Sequence, residues 1–184
     1  MKKKRHYSIS NFRYLYFDFD GVMTNDLVLL DESGREFITF SRQDGAGIGL
    51  IKRANQLSIL NLEMAIISSE KNNVVKARAD KLGIPCFQGI SDKFDFLSTG
   101  SSLLLESTTT FDFAELIYLG NDLNDLSVMR AAGLSLAPFN AHHYVKAVSN
   151  KTFSESGGEG FVRAAIEWLI GPAGLEAINE KYLR

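Results

Sequence analysis

Apolar and polar positions follow two different periods along the chain. Short, continuously apolar runs alternate with stretches in which apolar residues recur every three or four positions. The runs Tyr14 to Phe19, Met64 to Ser68, Leu116 to Leu119 and Leu134 to Ala137 are apolar enough for strands covered on both faces, and a shorter one ends at Phe87. Between them, Ala46 to Ala54, Asn72 to Leu82, Asp92 to Leu97 and Leu123 to Ala132 read as helices, the second ended by Gly83 and Pro85. A last amphipathic helix runs from Glu159 to Ile170, with Phe161, Ala165, Trp168 and Leu169 expected on one side. This order predicts an α/β fold built on a parallel sheet. One segment breaks the alternation: Leu27 to Leu30 and Glu36 to Phe40 flank the turn-rich Asp31-Glu32-Ser33-Gly34 and read as a β-hairpin. Residues 98 to 112, rich in Ser and Thr around Leu103-Leu104-Leu105, carry no clear period.

The chain's 184 residues suit one domain, expected at 14–171 between an N-terminal tail (1–13) and a C-terminal tail (172–184). A net charge of -2 gives no basic face for nucleic acid, and the one basic run, Lys2-Lys3-Lys4-Arg5, reads as a solvated tail. No window approaches the apolar length of a membrane span, and no signal-peptide pattern follows the basic run. The single cysteine, Cys86, excludes an intrachain disulfide and suits a reducing cytoplasm; between Pro85 and Phe87 it reads as a packing residue. His6, His142 and His143 read as surface or capping residues.

Three polar clusters stand at the carboxyl ends of expected strands, where an open α/β sheet places its chemistry. Asp18 and Asp20, spaced i, i+2, are read as pointing to one side, where they can share a hard cation, and Gly21 lets the backbone turn away. Gly120-Asn121-Asp122-Leu123-Asn124-Asp125 places carboxylates at i and i+3 on a first helical turn. Ser68-Ser69 precedes a helix whose first amides suit a phosphate. Asp and Asn after a strand are also ordinary helix caps. Together, however, four acidic groups at two strand ends repel one another unless a cation lies between them, and Lys93 adds a fixed positive charge for a phosphoryl oxygen.

Asp18-Phe19-Asp20-Gly21-Val22, Ser68, Lys93 and Gly120 to Asp125 resemble the ordered motifs of the haloacid dehalogenase (HAD) superfamily. A hairpin and a helix fill the interval from Asp20 to Ser68, and one helix and a short strand fill that from Ser68 to Lys93. The resemblance thus implies a Rossmann-like three-layer fold with a hairpin flap and no cap domain. Arg42 to Gly47, Arg78 to Gly83, Gln88 to Lys93 and Gly157 to Arg163 further resemble a capless branch. That branch holds phosphatases of 3-deoxy-manno-octulosonate 8-phosphate, from lipopolysaccharide synthesis, and of nine-carbon sialic-type 9-phosphates. The eight-carbon enzymes usually carry Thr-Gly-Arg where this chain has Ser68-Ser69-Glu70.

The resemblance implies a magnesium-dependent (Mg2+) phosphatase acting on a sugar-acid phosphate. Asp18 is the expected nucleophile and Asp20 the acid/base, with Ser68 and Lys93 on the phosphoryl oxygens. Asp18, the Asp20 carbonyl and Asp122 are expected to hold the metal, with Asn121 and Asp125 behind them. Substrate contacts are expected from Gly21, Ser69, Glu70, Arg78 and Lys81. Glu70 resembles the nine-carbon branch and makes a sialic-type substrate the favoured expectation; Arg78 and Lys81 are expected to reach a neighbour's site. Relatives use the hairpin to tetramerise, and its apolar Leu27 to Leu30, Phe37, Ile38 and Phe40 imply the same homotetramer here. The competing readings are a non-catalytic regulatory or oligomerisation module linked to CMP-sialate synthesis, which need not keep Asp18, Asp20, Lys93 and Asp122, and a phospho-receiver, which lacks the Asp20 acid/base.

Overall fold

The computed structural model describes residues 9–99 and 111–182; the basic run, His6 and most of the Ser- and Thr-rich stretch lie outside them. Strands β1 (Tyr14–Phe17), β4 (Glu63–Ile67), β5 (Cys86–Phe87), β6 (Leu116–Leu119), β7 (Leu134–Ala137) and β8 (Lys151–Thr152) form one parallel sheet in the order β5-β4-β1-β6-β7-β8. Central β1 lies between β4 and β6, with Tyr14 opposite Glu63 and Leu116. Side chains alternate between the two faces. Leu15, Phe17, Ile66, Ile117 and Leu119 meet helices α1 (Arg42–Gln56), α2 (Asn73–Leu82) and α6 (Phe161–Tyr182). Tyr14, Tyr16, Ala65, Ile67, Leu116 and Tyr118 meet α3 (Lys93–Thr99), α4 (Leu126–Ala131) and α5 (His143–Val148). The result is the expected three-layer α/β fold, and among the described residues no cap domain interrupts it.

The hairpin exists but its paired part is short: β2 (Leu29–Leu30) against β3 (Glu36–Phe37). The Asp31 carboxylate shapes the turn by accepting from the Ser33 and Arg35 amides at 2.9 Å each. Leu27, Val28, Leu29, Leu30 and Phe37 are 50–69% exposed, whereas Ile38 and Phe40 pack against the core. Strand β1 ends at Phe17, two residues sooner than expected.

Helix α1 starts earlier than its apolar pattern suggests because Ser41 caps it, its Oγ accepting from the Asp44 amide at 3.2 Å. The buried Asp44 carboxylate crosses instead to the start of α6, accepting from the Gly160 amide at 3.3 Å and the Arg163 amide at 2.9 Å. This contact ties together the Arg42 to Gly47 and Gly157 to Arg163 stretches. Residues 172–182 are helical where a C-terminal tail was expected. The helix breaks at Gly171 (φ 70°, ψ 168°) and continues to Tyr182, returning Leu175 and the buried Ile178 to the core. A proline stops a helix only from its interior; at a first turn it starts one. Trp168 is 42% exposed, unlike Phe161, Ala165 and Leu169, and stands edge-on to Phe153. Cys86 is half-buried at the core margin.

The loop before α6 runs so close to the turn after β1 that a Cβ on Gly157 would lie 1.8 Å from the Gly21 carbonyl oxygen. Gly157→Ala is therefore expected to lower stability by about 2 kcal/mol or more in urea titrations. Gly49→Ala, in α1 and facing open space, is expected to raise it by up to about 1 kcal/mol.

Candidate active site

Side-chain parity brings the first carboxylate to its partner. Asp18 follows Tyr14 and Tyr16 at even positions, so it falls on the face of the sheet covered by α3. That helix begins at Lys93, and its start is fixed by Asp92, whose carboxylate accepts from the Asp95 amide at 2.9 Å. Lys93 Nζ then lies 2.6 Å from Asp18 Oδ1 and 2.8 Å from Asp125 Oδ1, with all three side chains buried. Asp125 is itself held by four donors. Lys93 and the Tyr118 hydroxyl, at 2.8 Å, meet Oδ1, and the Asn121 and Asp122 amides meet Oδ2 at 2.9 and 3.3 Å. The Asp122 carboxylate accepts from the Leu123 amide at 2.7 Å and also from the Asp125 amide, which with the bond from the Asp122 amide to Asp125 makes a reciprocal cap over the turn after β6.

Burial, and then the Asp125 carboxylate, push the Asp18 carboxyl above the usual carboxylate range, while Lys93 opposes both. Burial pulls the Lys93 ammonium down, but Asp18 and Asp125 outweigh it and leave it raised. Asp20 is raised too, first by burial and then by the charge of Asp26, against a hydrogen bond from Thr24.

Asp18, Asp20, Asp26, Ser69, Asn121, Asp122, Leu123 and Asn124 line one open cleft of about 390 Å³. Ser68 and Lys93 are buried behind it, and the Ser68 hydroxyl accepts from the Glu70 amide at 3.0 Å. Gly21 turns the chain away from β1 at φ 73°, and a Cβ there would lie 1.9 Å from Asn121 Nδ2, so glycine is required on both counts. Asn121 Oδ1 is buried without a protein partner.

Of the expected substrate residues, Ser69 lines this cleft, whereas Gly21, Glu70, Arg78 and Lys81 do not, the last two being expected at a neighbour's site. Glu70 caps the start of α2, its carboxylate accepting from the Lys71 amide at 2.6 Å and the Asn72 amide at 3.1 Å. Arg78 lies over the Phe40 ring at 4.9 Å and donates to the Ser41 carbonyl at 3.1 Å, so it anchors the foot of the hairpin. Lys81 is exposed in the last turn of α2. A helix that follows a strand in a parallel sheet runs back from the carboxyl edge, and each turn carries it about 5 Å farther from the cleft. Conversely, Thr24, Asp26 and Tyr118 belong to the site or its support and escaped the sequence reading, and Asn124, quoted there only within its motif, lines the cleft. Tyr118 was detectable by parity: on β6 it is paired with Tyr16 and shares its face of the sheet.

A parallel sheet with carboxylates at the ends of β1 and β6 and a buried lysine between them is the arrangement implied by the HAD resemblance. No protein-family model matches the chain. It is 33% identical over 161 residues to the 3-deoxy-D-manno-octulosonate 8-phosphate phosphatase of Salmonella typhi, covering 87% of this chain and 80% of that protein. A probable YrbI family phosphatase from Pseudomonas syringae superposes with a TM-score of 0.82 at 33% identity, over 96% of this chain and 95% of the other. The 3-deoxy-D-manno-octulosonate 8-phosphate phosphatase of Moraxella catarrhalis, solved with magnesium, phosphate and the octulosonate, gives 0.82 at 27% identity over 95% of each chain. The chain belongs to this family of HAD phosphatases.

Asp18, Lys93 and Asp125 together bury a net charge of -1 when both carboxylates are ionised. Because Asp18 is raised, its ionised form is less stable in the folded than in the unfolded protein. The penalty is absent below the usual carboxylate range, near pH 4, and grows as pH rises through it. In magnesium-free buffer at neutral pH, Asp18→Asn is expected to raise Tm, with the gain vanishing as the pH is lowered toward that range. Lys93→Met, which leaves two buried carboxylates unpaired, is expected to cost about 3 kcal/mol or more by denaturant titration.

Proposed function

We propose that this chain hydrolyses a phosphomonoester of a 2-keto-3-deoxy sugar acid in the cytoplasm, with Asp18 as the nucleophile. The observation that carries the reading is Asp18 itself. It lies at the cleft with one oxygen held 2.6 Å from buried Lys93, so the other is oriented for attack. Asp18 attacks phosphorus, the bond to the sugar oxygen breaks, and Asp20 protonates the departing oxygen. Asp20 then takes a proton from the water that hydrolyses the aspartyl phosphate. Lys93 and the Ser68 hydroxyl hold phosphoryl oxygens, and Asp125, fixed by Tyr118 and two amides, keeps Lys93 in place.

The donors present fit magnesium. Among the described residues no three His, Cys, Asp or Glu side chains converge as a ready-made metal cage. Magnesium needs none: it takes one or two carboxylates and completes its shell with waters and substrate phosphate. Asp18, the Asp20 carbonyl and Asp122 would hold it, and the unpartnered Asn121 Oδ1 is available to a water of that shell. When bound, magnesium supplies positive charge between an anionic nucleophile and an anionic phosphate.

Within the substrate class, the eight-carbon octulosonate 8-phosphate is favoured over the nine-carbon substrate that Glu70 first suggested. The Glu70 carboxylate already caps two amides of α2, and the relatives at 32–33% identity are octulosonate 8-phosphate phosphatases. The test is kcat/KM on octulosonate 8-phosphate and on nine-carbon 9-phosphates with magnesium. Preference for the nine-carbon esters would overturn this choice. Asp18→Asn is expected to abolish turnover; a variant keeping more than about a tenth of wild-type kcat, a barrier change under about 1.4 kcal/mol, would overturn the covalent route.

The exposed apolar ribbon from Leu27 to Leu30 with Phe37 supports a homotetramer in which a neighbour roofs each open cleft. Light scattering is expected to give four chains per particle. A fully active monomer at micromolar concentration would refute the assembly.

A further inference from the structure

Thr24 lies in the turn between Gly21 and the hairpin and is fully buried. Its hydroxyl has three neighbours. The Gly21 amide donates to Oγ1 at 3.2 Å and the Asp26 amide at 3.1 Å, and Oγ1 donates to Asp20 Oδ1 at 3.3 Å. A hydroxyl has two lone pairs and one proton. With both lone pairs engaged by amides, the proton has one place to go, the near oxygen of Asp20. The backbone thereby dictates which Asp20 oxygen must act as acceptor. The turn is held in this form from behind: a Cβ on Gly158 would lie 2.4 Å from the Thr24 carbonyl carbon, and the Gly158 amide donates to the Val22 carbonyl at 3.0 Å.

We infer that Thr24 is a positioning residue that directs the transferable proton of Asp20 to its other oxygen, Oδ2, where it serves the leaving group. The inference rests on the phosphatase reading above and adds the residue that orients its acid. In the step concerned, the bond from Asp18 to phosphorus forms and the bond from phosphorus to the sugar oxygen breaks. The proton passes from Asp20 Oδ2 to that oxygen, leaving Asp20 ionised. A protonated Asp20 without Thr24 is free to place its proton on either oxygen and rotate away. The loss matters only where the leaving oxygen needs a proton: a sugar alkoxide does, whereas p-nitrophenolate leaves as a stable anion.

The experiment compares kcat/KM, which reports events through the first phosphoryl transfer, for octulosonate 8-phosphate and p-nitrophenyl phosphate. Wild type, Thr24→Val and Thr24→Ser are assayed with magnesium; a nine-carbon 9-phosphate, also a primary alkyl ester, replaces the octulosonate ester if wild type refuses it. Thr24→Val, which keeps the shape and loses the hydroxyl, is expected to lose on the order of tenfold or more on the sugar ester and less than about threefold on the aryl ester, as a misdirected general acid should. Thr24→Ser is expected to restore the sugar ester to within about threefold of wild type. Equal losses on both esters, or no loss on either, would overturn the role of Thr24 while leaving the phosphatase reading intact. A wild type that hydrolyses neither ester would overturn both. If Thr24→Val does not fold by circular dichroism, Thr24→Ala, with space for a water to satisfy the two amides, is judged by the same ratio.

Discussion

The ion triad of Asp18, Lys93 and Asp125 is the constraint around which the rest of the molecule is arranged. A lysine removed from water between two carboxylates is stable only when its distances are short and every remaining lone pair is satisfied. The fold meets the first demand at both carboxylates and the second at Asp125. The Lys93 distances are 2.6 and 2.8 Å, and Asp125 is surrounded by a phenol and two amides besides the lysine. Strand parity sets the face on which Asp18 lies, the start of α3 sets the height of Lys93, and the turn after β6 sets Asp125. Three separate elements must be in register for one cation to bridge them. The same requirement explains why the sheet's central strands are buried on both faces around this point.

Much of this was legible in the sequence, for a physical reason. Strands covered on both faces must be continuously apolar, so carboxylates following them at Asp18, Asp20 and Asp122 stand out against the pattern. The alternation of apolar runs and helical periods likewise pointed to a parallel α/β sheet, and the family resemblance to its three layers. What stayed hidden depends on contacts between distant parts of the chain. Glu70 as a substrate ligand and Glu70 as a helix cap have the same sequence signature, and what the structure adds is that one carboxylate oxygen accepts from the Lys71 and Asn72 amides. Arg78 and Lys81 lie away from this chain's cleft, as expected of residues assigned to a neighbour's site, and Arg78 has a further role against Phe40 and Ser41 that spacing alone does not show. Gly171-Pro172 has two meanings, stop and restart, and Leu175 and Ile178 decide between them by packing. Thr24 carries no signal in the sequence, since the pattern does not reveal that its hydroxyl is enclosed by two amides and a carboxylate.

The cleft itself is unevenly built. Its floor is rigid, with buried charges and glycines chosen for contact, whereas its rim has the exposed Leu123 and the acidic Asp26 and Asp122. Such a site fixes the reacting phosphorus closely and leaves the remainder of the substrate to be gripped by few groups of the same chain. Chemistry and selectivity thus reside in different layers of the structure. The first is inherited from the strand ends, and the second depends on loops and on whatever covers the opening.

The bond from the Asp44 carboxylate to the Gly160 amide spans 116 positions, and Gly157 and Gly158 rest on the turn that carries Asp20 and Thr24. During synthesis Asp18 emerges from the ribosome well before the glycines that brace the turn behind it. Closing so long a loop is entropically costly and happens late. The turn carrying Asp20 and Thr24 therefore waits, unbraced, while the residues between are made, and a chain released before Arg163 has these groups without the backing that gives them their geometry.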